Sequence, residues 1–564
     1  MAIIGIDLGT TNSLAAVWKD GQPVVFKNSL GDILTPSAVG IDDNGEILCG
    51  KVARERLITH PSMTAAEFKR SMGTDRKYTL GTSTFTPEQL SSLILRKIKE
   101  DAEKVLGEPI EEAVISVPAY FDDARRFATK QAASMSGLKV ERLINEPSAA
   151  ALAYLHKHGF VDGTYMVIDF GGGTLDVSII DSFDSVMEIL AVSGNNALGG
   201  KDFNEAIYNH FLSANEILPD TLTDEQKAMI YKMAEDCKIA LSDTPLTMMS
   251  VNINDKTYTL MMDNNTLIKI SHEVFEKILS PIKQVLRDAR INVADLEDII
   301  LVGGSCKMPT ISAYIEKVTG RKPCTDINPD TAIALGAAIF AGMKSRNEEL
   351  KDIVMTDICP FSLGIAVEDS RTHEIIMDFI IPRNSMLPTS RRKSYYAVSD
   401  NQTSVRIQFF QGESIIPSNN TKLGELLINC PATPKHGLID TTKMTYDING
   451  ILMVEVETVD GKTHNKTIIS KSNRMSEAEI ARCQEQLSKL TLAPTDKEEN
   501  RLLIARAERA IEETLSFERE AITQTLLAFK AVLEKGNSRE IRIMYNRLNG
   551  LIDKIDGIDT GLIE

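Results

Sequence analysis

The chain has 564 residues, more than one domain normally contains, and its length predicts about three or four domains. Hydrophobic residues make up 43% and charged residues 25%, which is typical of a folded soluble protein. The net charge of −17 argues against nucleic acid as the main partner, because binding along a nucleic acid needs a basic surface. A local pocket for phosphate remains compatible with this charge.

The cysteines and the N-terminus both favour a protein of a reducing compartment. The odd number of cysteines in so long a chain predicts reduced thiols in a reducing compartment. The N-terminus enters a strand directly, without the basic and apolar regions of a signal peptide. The longest candidate apolar stretch, residues 332–343, is too short to span a bilayer. We therefore expect a cytoplasmic protein with no membrane partner. The seven cysteines, none in a Cys-x-x-Cys pair, are Cys49, Cys237, Cys306, Cys324, Cys359, Cys430 and Cys483.

The first predicted element is a β-hairpin at residues 3–18, and the same pattern returns at residues 166–180. Each copy has an apolar run, one aspartate (Asp7 or Asp169), a turn of Gly and Thr, and a second apolar run. Exposed N–H groups in such a turn bind phosphate, and a carboxylate among them requires a cation, so the pattern predicts Mg²⁺. One copy alone is typical of an ordinary turn. Two copies indicate two related subdomains facing one nucleotide.

Up to about residue 350, short β runs alternate with helical stretches, which is typical of an α/β fold. No P-loop lysine motif occurs, so a nucleotide must be held differently from P-loop enzymes. The sequence has no His-Glu-x-x-His motif and no Cys/His cluster, which argues against zinc. The predicted helices of this part are residues 87–106, 122–136, 224–241, 271–289 and 308–319.

The pattern changes in the last third of the chain. A charged segment followed by an apolar one at residues 347–356 predicts a helix end and a short linker, although an ordinary loop fits equally well. Alternating strands separated by turn signals then predict an antiparallel β-sandwich from residue 359 to about 471. An apolar stripe at helical spacing predicts a helical C-terminal domain.

Six motifs occur in one order along the chain and resemble those of the seventy-kilodalton heat-shock chaperones (DnaK-like). The resemblance covers nearly the whole length, and the short chain and its departures are most similar to a bacterial paralogue within that family. The phosphate motifs alone would indicate only the superfamily of actin, hexokinase and chaperones. The six motifs are Ile6-Asp7-Leu8-Gly9-Thr10-Thr11-Asn12-Ser13, Val117-Pro118-Ala119-Tyr120-Phe121, Ile144-Asn145-Glu146-Pro147, Asp169-Phe170-Gly171-Gly172-Gly173-Thr174, Leu198-Gly199-Gly200-Lys201-Asp202-Phe203 and Val302-Gly303-Gly304.

The resemblance implies four segments. The first is an α/β actin-like ATPase domain (ribonuclease H-like, two lobes) at residues 1–350, followed by an interdomain linker at 351–358. A β-sandwich peptide-binding domain at 359–472 and an α-helical lid at 473–564 complete the chain. The implied function is that of an ATP-dependent chaperone of protein folding and stress response, in which ATP hydrolysis is coupled to peptide binding.

The resemblance also implies the chemistry of the nucleotide site. ATP or ADP would lie between the lobes with Mg²⁺ and K⁺, and Asp7 and Asp169 would hold the Mg²⁺ largely through water. Among the catalytic residues, Lys69 would lie near the γ-phosphate, and Glu146, Thr174 and Asp176 around the attacking water. Taken alone, Lys69 is typical of a solvated charge and Glu146 of a loop carboxylate. The implied nucleotide contacts are Thr10, Thr11, Asn12, Gly171, Gly172, Gly173, Gly200, Glu235, Lys238, Ser242, Gly304 and Lys307.

Other residues match the family's allosteric positions. Pro118 and Arg126 match a switch that transmits the nucleotide state, and Arg142, Asn145 and Asp357 match positions near the contact of a J-domain co-chaperone. The family favours an all-apolar linker before the aspartate, so Thr356 predicts weaker docking of the linker. The segment between Lys69 and Pro87 looks shortened, which leaves the need for a nucleotide-exchange factor open. Lys307 stands where the family usually has arginine, which stacks better on adenine, so we expect weaker nucleotide affinity and faster exchange.

The β domain matches a cleft for unfolded or client polypeptides, in which an extended peptide binds through main-chain hydrogen bonds and an apolar pocket. Taken singly, the apolar residues of this set also fit an ordinary sandwich core. A carboxylate at residue 368 predicts a preference for basic flanks in the bound peptide. Two alternative functions remain: a small-molecule kinase of the same superfamily and a non-hydrolysing holdase. The cleft residues implied are Ile365, Glu368, Tyr395, Val398, Val405 and Ile407.

Overall fold

The computed structural model describes residues 2–254, 256–369, 371–448, 450–468, 477–490, 498–514, 516–536 and 538–556. The predicted boundary between the second and third domains, at 472–473, lies outside these residues. Elements up to residue 158 are β1 (Ile3–Leu8), β2 (Asn12–Lys19), β3 (Gln22–Val25), β4 (Thr35–Pro36), β5 (Ala38–Ile41), β6 (Ile47–Cys49), α1 (Lys51–Thr59), β7 (Thr64–Ala66), β8 (Tyr78–Leu80), β9 (Ser83–Phe85), α2 (Pro87–Leu106), β10 (Glu112–Val117), α3 (Asp123–Met135), β11 (Leu143–Asn145) and α4 (Glu146–His158).

Strands and helices continue to alternate up to residue 358. These elements are β12 (Gly163–Phe170), β13 (Leu175–Phe183), β14 (Val186–Asn195), α5 (Gly200–Ala214), α6 (Asp224–Asp243), β15 (Leu246–Ile253), β16 (Lys256–Asp263), α7 (Asn264–Ile270), α8 (His272–Ala289), β17 (Asp298–Val302), α9 (Pro309–Thr319), α10 (Ala332–Lys344) and β18 (Val354–Ile358).

The two predicted hairpins form the centres of two sheets with the same topology. In the first lobe, β1 pairs antiparallel with β2 and parallel with β10. In the second lobe, β12 pairs antiparallel with β13 and parallel with β17. The sequence prediction of two related subdomains is therefore confirmed in the pairing of the strands.

Local signals explain where the helices begin and end. Helix α2 coincides with its predicted range, because the Thr86 side chain and Gln89 form a capping box and Gly107 ends the helix in the left-handed conformation. Thr223 and Gln226 cap α6 in the same way, and this helix ends two residues later than predicted, at Asp243.

The segment predicted as a helix end and short linker differs from that expectation. Helix α10 ends at Lys344, and residues Val354–Ile358 form strand β18. Three of its residues pair in parallel with Val186–Glu188 of β14. Strand β18 also pairs antiparallel with residues 386–387 of the β domain, so one sheet joins the second lobe to that domain. A five-residue segment carries too little pattern of its own to show that it would complete an existing sheet edge.

Helices α4 and α10 cross closely between the two sheets. An added Cβ at Gly336 of α10 would lie 1.8 Å from the carbonyl oxygen of Ala149 in α4. Apolar residues of both lobes, such as Val114 and Val167, pack in one core with these two helices. The crossing therefore forms the base on which the lobes meet.

We predict that Gly336→Ala lowers the free energy of unfolding of the ATPase domain by about 1–3 kcal/mol, because the new methyl group overpacks the crossing. Gly550 is a matched control, since it lies in a helix with no heavy atom within 4 Å of an added Cβ. Gly550→Ala should instead be neutral or stabilising by up to about 1 kcal/mol, from helix propensity alone. Urea denaturation followed by circular dichroism measures both; equal effects of the two substitutions would contradict the tight crossing.

Among the residues that the structure describes, the β domain consists of two four-stranded antiparallel sheets. The strands of the first sheet lie in the order β20 (Ile375–Ile381), β19 (Leu363–Glu368), β23 (Gln402–Gln411) and β24 (Thr421–Thr433). Those of the second lie in the order β22 (Thr389–Tyr396), β25 (Leu438–Tyr446), β26 (Leu452–Thr458) and β27 (Thr463–Ile468). Residues from both sheets, including Ile381 and Val456, form one core. The strand between β20 and β22 in the chain is β21 (Met386–Leu387).

The helical segment comprises α11 (Glu477–Lys489), α12 (Glu498–Glu513), α13 (Ser516–Lys535) and α14 (Ser538–Ile555). Helices α12, α13 and α14 share a core that contains Leu503, Phe529 and Leu548. Leu487 of α11 is buried in the core of the first lobe, so this segment packs on the ATPase domain. Within the described residues, no helix combines the length and the apolar composition that crossing a membrane requires.

Candidate functional site

A cavity of about 1020 Å³ lies between the two lobes and contains most of the predicted nucleotide site. Gly173, Gly200 and Asp176 do not line the cavity, but each is next to a residue that does: Gly173 and Gly200 in sequence, and Asp176 opposite Asp169 in the β12–β13 pair. The predicted residues that line the cavity are Asp7, Thr10, Thr11, Asn12, Lys69, Glu146, Asp169, Gly171, Gly172, Thr174, Glu235, Lys238, Ser242, Gly304 and Lys307.

The floor of the cavity is strongly acidic. Asp7 and Asp169 are buried near the ends of β1 and β12, and Asp176 lies opposite Asp169 in the β12–β13 hairpin. Burial, reinforced by the charge of Glu146, raises the pKa of Asp7 to about 7 and that of Asp176 to about 7. The same two causes raise the pKa of Asp169 well above its ordinary value.

These carboxylates fit a divalent cation. One oxygen each of Asp169 and Asp176 is buried without a hydrogen-bond partner, whereas Asp7 accepts a 2.8 Å hydrogen bond from the Ser116 hydroxyl. Buried carboxylates that lack partners are stabilised in the charged form by a cation. Among the described residues, no three His, Cys, Asp or Glu side chains are grouped closely enough to bind a metal directly. A Mg²⁺ ion held here would therefore take its remaining ligands from water and phosphate, as this ion commonly does.

Lys69 and Glu146 form a buried ion pair at the cavity wall. Their Nζ and Oε1 atoms are 2.6 Å apart, and both side chains are about nineteen-twentieths buried. Lys69 lies in a 3₁₀ turn of the first lobe, and Glu146 is the first residue of α4. The ammonium is thus held at a fixed position facing the cavity, next to the carboxylates of the floor.

The two Gly/Thr turns approach each other from opposite lobes. An added Cβ at Gly172 would lie 2.1 Å from the hydroxyl oxygen of Thr11, and one at Gly199 would lie 2.3 Å from the backbone nitrogen of Gly173. The Thr11 hydroxyl is buried and has no hydrogen-bond partner. Glycine is needed here because only it permits this close approach. The turns thus bring hydroxyl and N–H donors together, an arrangement that suits phosphate.

Helix α6 forms one side of the cavity mouth. Glu235, Lys238 and Ser242 lie on the same face of this helix, and all three line the cavity. Lys238 donates a 3.0 Å hydrogen bond to the carbonyl oxygen of Gly200, and burial lowers its pKa to about 8. Glu235 pairs with Arg54 of α1, at 2.9 Å, across the gap between the lobes.

The turn after β17 forms the opposite side. Gly303 has φ of 85°, and an added Cβ would lie 2.6 Å from Asp169 Oδ1, so this position requires glycine. The Ser305 hydroxyl donates a 2.8 Å hydrogen bond to the carbonyl oxygen of Gly171. Lys307 lines the cavity with its ammonium paired to Asp330.

Three cationic residues of the site were not predicted from sequence. Arg70 donates to the carbonyl oxygen of Gly173 at 2.9 Å, and Lys201 pairs with Glu67 of the other lobe. Burial lowers the pKa of Lys201 to about 7. Arg70 follows Lys69, and Lys201 follows Gly200, so their neighbours in the motifs could have indicated them. Arg54 has no such signal, because its partner is 181 residues away.

The predicted allosteric residues lie between the site and β18. Arg126 donates to the carbonyl oxygen of Ala119 at 3.2 Å and to Oδ1 of Asn145 at 2.5 Å. Asn145 in turn donates to Asp357 of β18 at 2.8 Å. Pro118 is buried immediately before Ala119. Arg142 lies apart from these hydrogen bonds, with its guanidinium 5.5 Å from the centre of the Phe340 ring.

Thr356 lies opposite Glu188 in the β14–β18 pair, and its hydroxyl oxygen is buried without a hydrogen-bond partner. A buried polar group of this kind costs about 1–3 kcal/mol. We predict that Thr356→Val, which keeps the shape and removes the hydroxyl, stabilises the docked linker by about that amount. Hydrogen exchange of residues 354–358 measures the docking, and exchange that stays as fast as in the unchanged chain would contradict the prediction. Thr372→Val, at an exposed turn, is the control.

The predicted cleft residues divide into buried and exposed groups. Ile365 and Ile407 are buried in the core of the β domain, with Tyr395 and Val405 packed against it. Tyr395 donates a 2.9 Å hydrogen bond to Asp378. Val398 is 50% exposed. Glu368 lies at the end of β19, where its carboxylate is 2.7 Å from His373 Nδ1.

A two-lobed domain with an acidic cleft lined by Gly/Thr turns, joined through a strand to a β domain, has the architecture of the actin-like class. The HSP70 family model (Hsp70 protein) matches residues 3–549, so the chain belongs to the Hsp70 family. Members of this family are ATP-dependent chaperones that bind ATP or ADP with Mg²⁺ and act on unfolded polypeptides with J-domain co-chaperones.

Proposed function

We propose that this chain is a peptide-binding chaperone in which ATP binding and hydrolysis control the binding and release of extended apolar segments of unfolded or specific client proteins. The observation that supports this most strongly is the sheet that runs from β14 through β18 to β21. A change in the second lobe would reach the β domain through shared backbone hydrogen bonds. Differential affinity of ATP and ADP for the two arrangements of the domains would provide the coupling.

For the ATPase site we propose that Asp7 and Asp169 hold the hydration shell of Mg²⁺, with K⁺ as a second cation. When bound, Mg²⁺ would neutralise part of the negative charge of the phosphates. Lys69 stabilises the charge that develops on the γ-phosphate, and Glu146, Thr174 and Asp176 orient the attacking water. The remaining predicted contacts of the cavity bind the phosphates, ribose and adenine. The chemistry is positioning and charge stabilisation, with little proton transfer.

For the β domain we propose the predicted peptide cleft, with the helical segment as its lid. Helices α11 and α12 lie on the ATPase domain, and the side chains of Tyr396 and Val398 near the cleft are 60% and 50% exposed. This arrangement supports an open cleft while the helical segment is docked elsewhere. Closure after hydrolysis would then move the helices onto the β domain.

Within the family we propose that the chain is of the type of the bacterial paralogue HscC and is cytoplasmic. A J-domain co-chaperone would contact the region of Arg142, Asn145 and Asp357. The departures at Lys307, Thr356 and Glu368 suggest a narrow set of clients. Because its ammonium is paired to Asp330, Lys307 would contribute little to the binding of adenine. A slow release of bound ATP in stopped-flow measurements would contradict this.

Glu368 gives a test of client preference. We predict that Glu368→Met widens the range of bound peptides and removes a preference for basic flanks, because it deletes the carboxylate beside the proposed cleft. A peptide array measures the profile. Glu374→Met, an exposed carboxylate in the following turn, is the control. An unchanged profile for Glu368→Met would reject the role of this residue.

One experiment separates the proposed function from its alternatives. ATP turnover is measured with and without an apolar peptide, and with a panel of sugars. Stimulation of turnover by the peptide supports the chaperone. Turnover that does not respond to peptide would contradict the chaperone, no turnover would favour the holdase, and a phosphorylated sugar would favour the kinase.

A further inference from the structure

Helix α12 of the helical segment lies along α1 at the outer rim of the nucleotide cleft. Ala505 of α12 is buried in an apolar cluster with Val52 and Ala53 of α1. At the start of α12, the buried carboxylate of Glu498 accepts a 2.9 Å hydrogen bond from Lys97, which also pairs with Asp101 at 3.0 Å. These contacts attach the helix firmly to the first lobe.

The other end of α12 reaches both lobes. Arg509 is 5% exposed and pairs with Glu55 of α1 at 2.6 Å and with Glu513 of its own helix at 2.6 Å. The carbonyl oxygen of Glu513 accepts a 2.8 Å hydrogen bond from Asn252 in β15 of the second lobe. The Glu513 carboxylate lies 4.0 Å from Lys232 in α6, also in the second lobe.

Helix α14 fixes this end of α12 in place. Arg506 pairs with Asp553 at 2.8 Å and with Asp556, and Arg509 pairs with Asp556 at 2.9 Å. The side chains of these four residues are at most 16% exposed. Because these pairs fix Arg506 and Arg509, and Arg509 in turn pairs with Glu513, α12 contacts the two lobes as a rigid element.

The same rim carries one of the direct contacts between the lobes. Arg54 of α1 pairs with Glu235 of α6, and Glu235 lines the nucleotide cavity. Opening the cleft at this rim separates α1 from α6. While α12 is docked, such an opening must also break the contacts of Glu513 with Asn252 and Lys232.

We propose that docked α12 is a bridge between the lobes that restrains nucleotide release, so that undocking of the helical segment accelerates exchange. This inference rests on the proposed function, because it assumes that the cavity binds ATP or ADP. It makes the helical segment an intramolecular regulator of the ATPase site. A protein that opened the cleft from this rim would have to displace α12 first.

The test is the release rate of a fluorescent ATP analogue that cannot be hydrolysed, measured by stopped flow on the full-length chain, because the proposed cycle keeps the helical segment docked until hydrolysis. The bridge variant Lys232→Ala/Asn252→Ala removes the contacts of the second lobe and leaves the contacts of α12 with the first lobe intact. Neither residue lines the cavity. We expect release to accelerate about tenfold, within the range of ordinary coupling between sites.

The control is Arg501→Ala, which removes the pair of α12 with Glu46 of the first lobe only. Its release rate should stay within about twofold of the unchanged chain, since one partly exposed pair contributes little to docking. Hydrogen exchange of residues 498–513 should remain slow in both variants, which shows that α12 stays docked. A bridge variant that releases the ATP analogue at the unchanged rate would overturn the inference.

The two proposals fail in different ways. A chain that binds the ATP analogue and hydrolyses ATP, but releases the analogue equally fast with and without the bridge, refutes the bridge alone. A chain that does not bind the analogue refutes both the proposed ATPase site and its regulation.

Discussion

Replacing Lys69 with alanine is expected to lower the turnover of ATP by about 100-fold or more, the largest effect predicted for any single substitution in this chain. Loss of one preorganised group that stabilises transition-state charge typically costs this much. The ammonium of Lys69 is held in one position at the cavity wall, because it is buried 2.6 Å from the carboxylate of Glu146. Nucleotide binding should be affected much less, since the turns at residues 9–12 and 171–174 remain.

The substitution also leaves Glu146 as an unpaired buried carboxylate, which by itself destabilises a protein by about 3–5 kcal/mol. Loss of activity through unfolding must therefore be separated from loss of chemistry. The double variant Lys69→Ala/Glu146→Gln removes the unpaired charge and should restore the melting temperature without restoring turnover. Lys77→Ala, an exposed lysine close by, is the matched control.

Steady-state turnover, the affinity for ATP and thermal melting are measured for all three variants. Turnover of Lys69→Ala within about tenfold of the unchanged chain, with ATP still bound, would show that Lys69 is a structural ion-pair partner and not a catalytic residue.

Much of the fold and of the cavity could be predicted because its signals are local in sequence. The turns after Asp7 and Asp169 contain their own donors, and a capping box marks the start of α2. The period of α6 predicts that Glu235 and Lys238 share one face, whereas their place in the nucleotide site was implied by the family resemblance. Each of these predictions needs only a few consecutive residues.

What could not be predicted depends on partners that are distant in the chain. The pair of Arg54 with Glu235 and that of Lys201 with Glu67 join different lobes, and a charged residue alone does not indicate its partner. The position of α12 on α1 has the same cause: its apolar face fits several surfaces, and only the assembled lobes provide the complementary charges. The strand conformation of residues 354–358 likewise depends on the free edge of β14.

The second large effect concerns the path between the nucleotide site and the linker. Asp176, opposite Asp169, accepts a 2.9 Å hydrogen bond from the backbone N–H of Tyr120. From the adjacent residue Ala119, the hydrogen bonds of Arg126 and Asn145 continue to Asp357. Hydrogen bonds and backbone are therefore continuous from Asp176 to β18, and we propose this series as the route of coupling.

Asp357→Ala is therefore expected to abolish the stimulation of ATP turnover by an apolar peptide, while unstimulated turnover stays within about twofold. The substitution leaves the amide of Asn145 without its partner, at a cost of about 1–3 kcal/mol. Coupling between sites is typically about 1–3 kcal/mol as well, so this one loss is large enough to cancel it.

The control is Asp352→Ala, which removes an exposed carboxylate from the same linker and should retain full stimulation. If Asp357→Ala is still stimulated as strongly as Asp352→Ala, the hydrogen bond of Asn145 with Asp357 is not the route. The connections left would include the paired backbone of β14, β18 and β21 and the contact of Tyr120 with Phe361, whose rings are 4.4 Å apart.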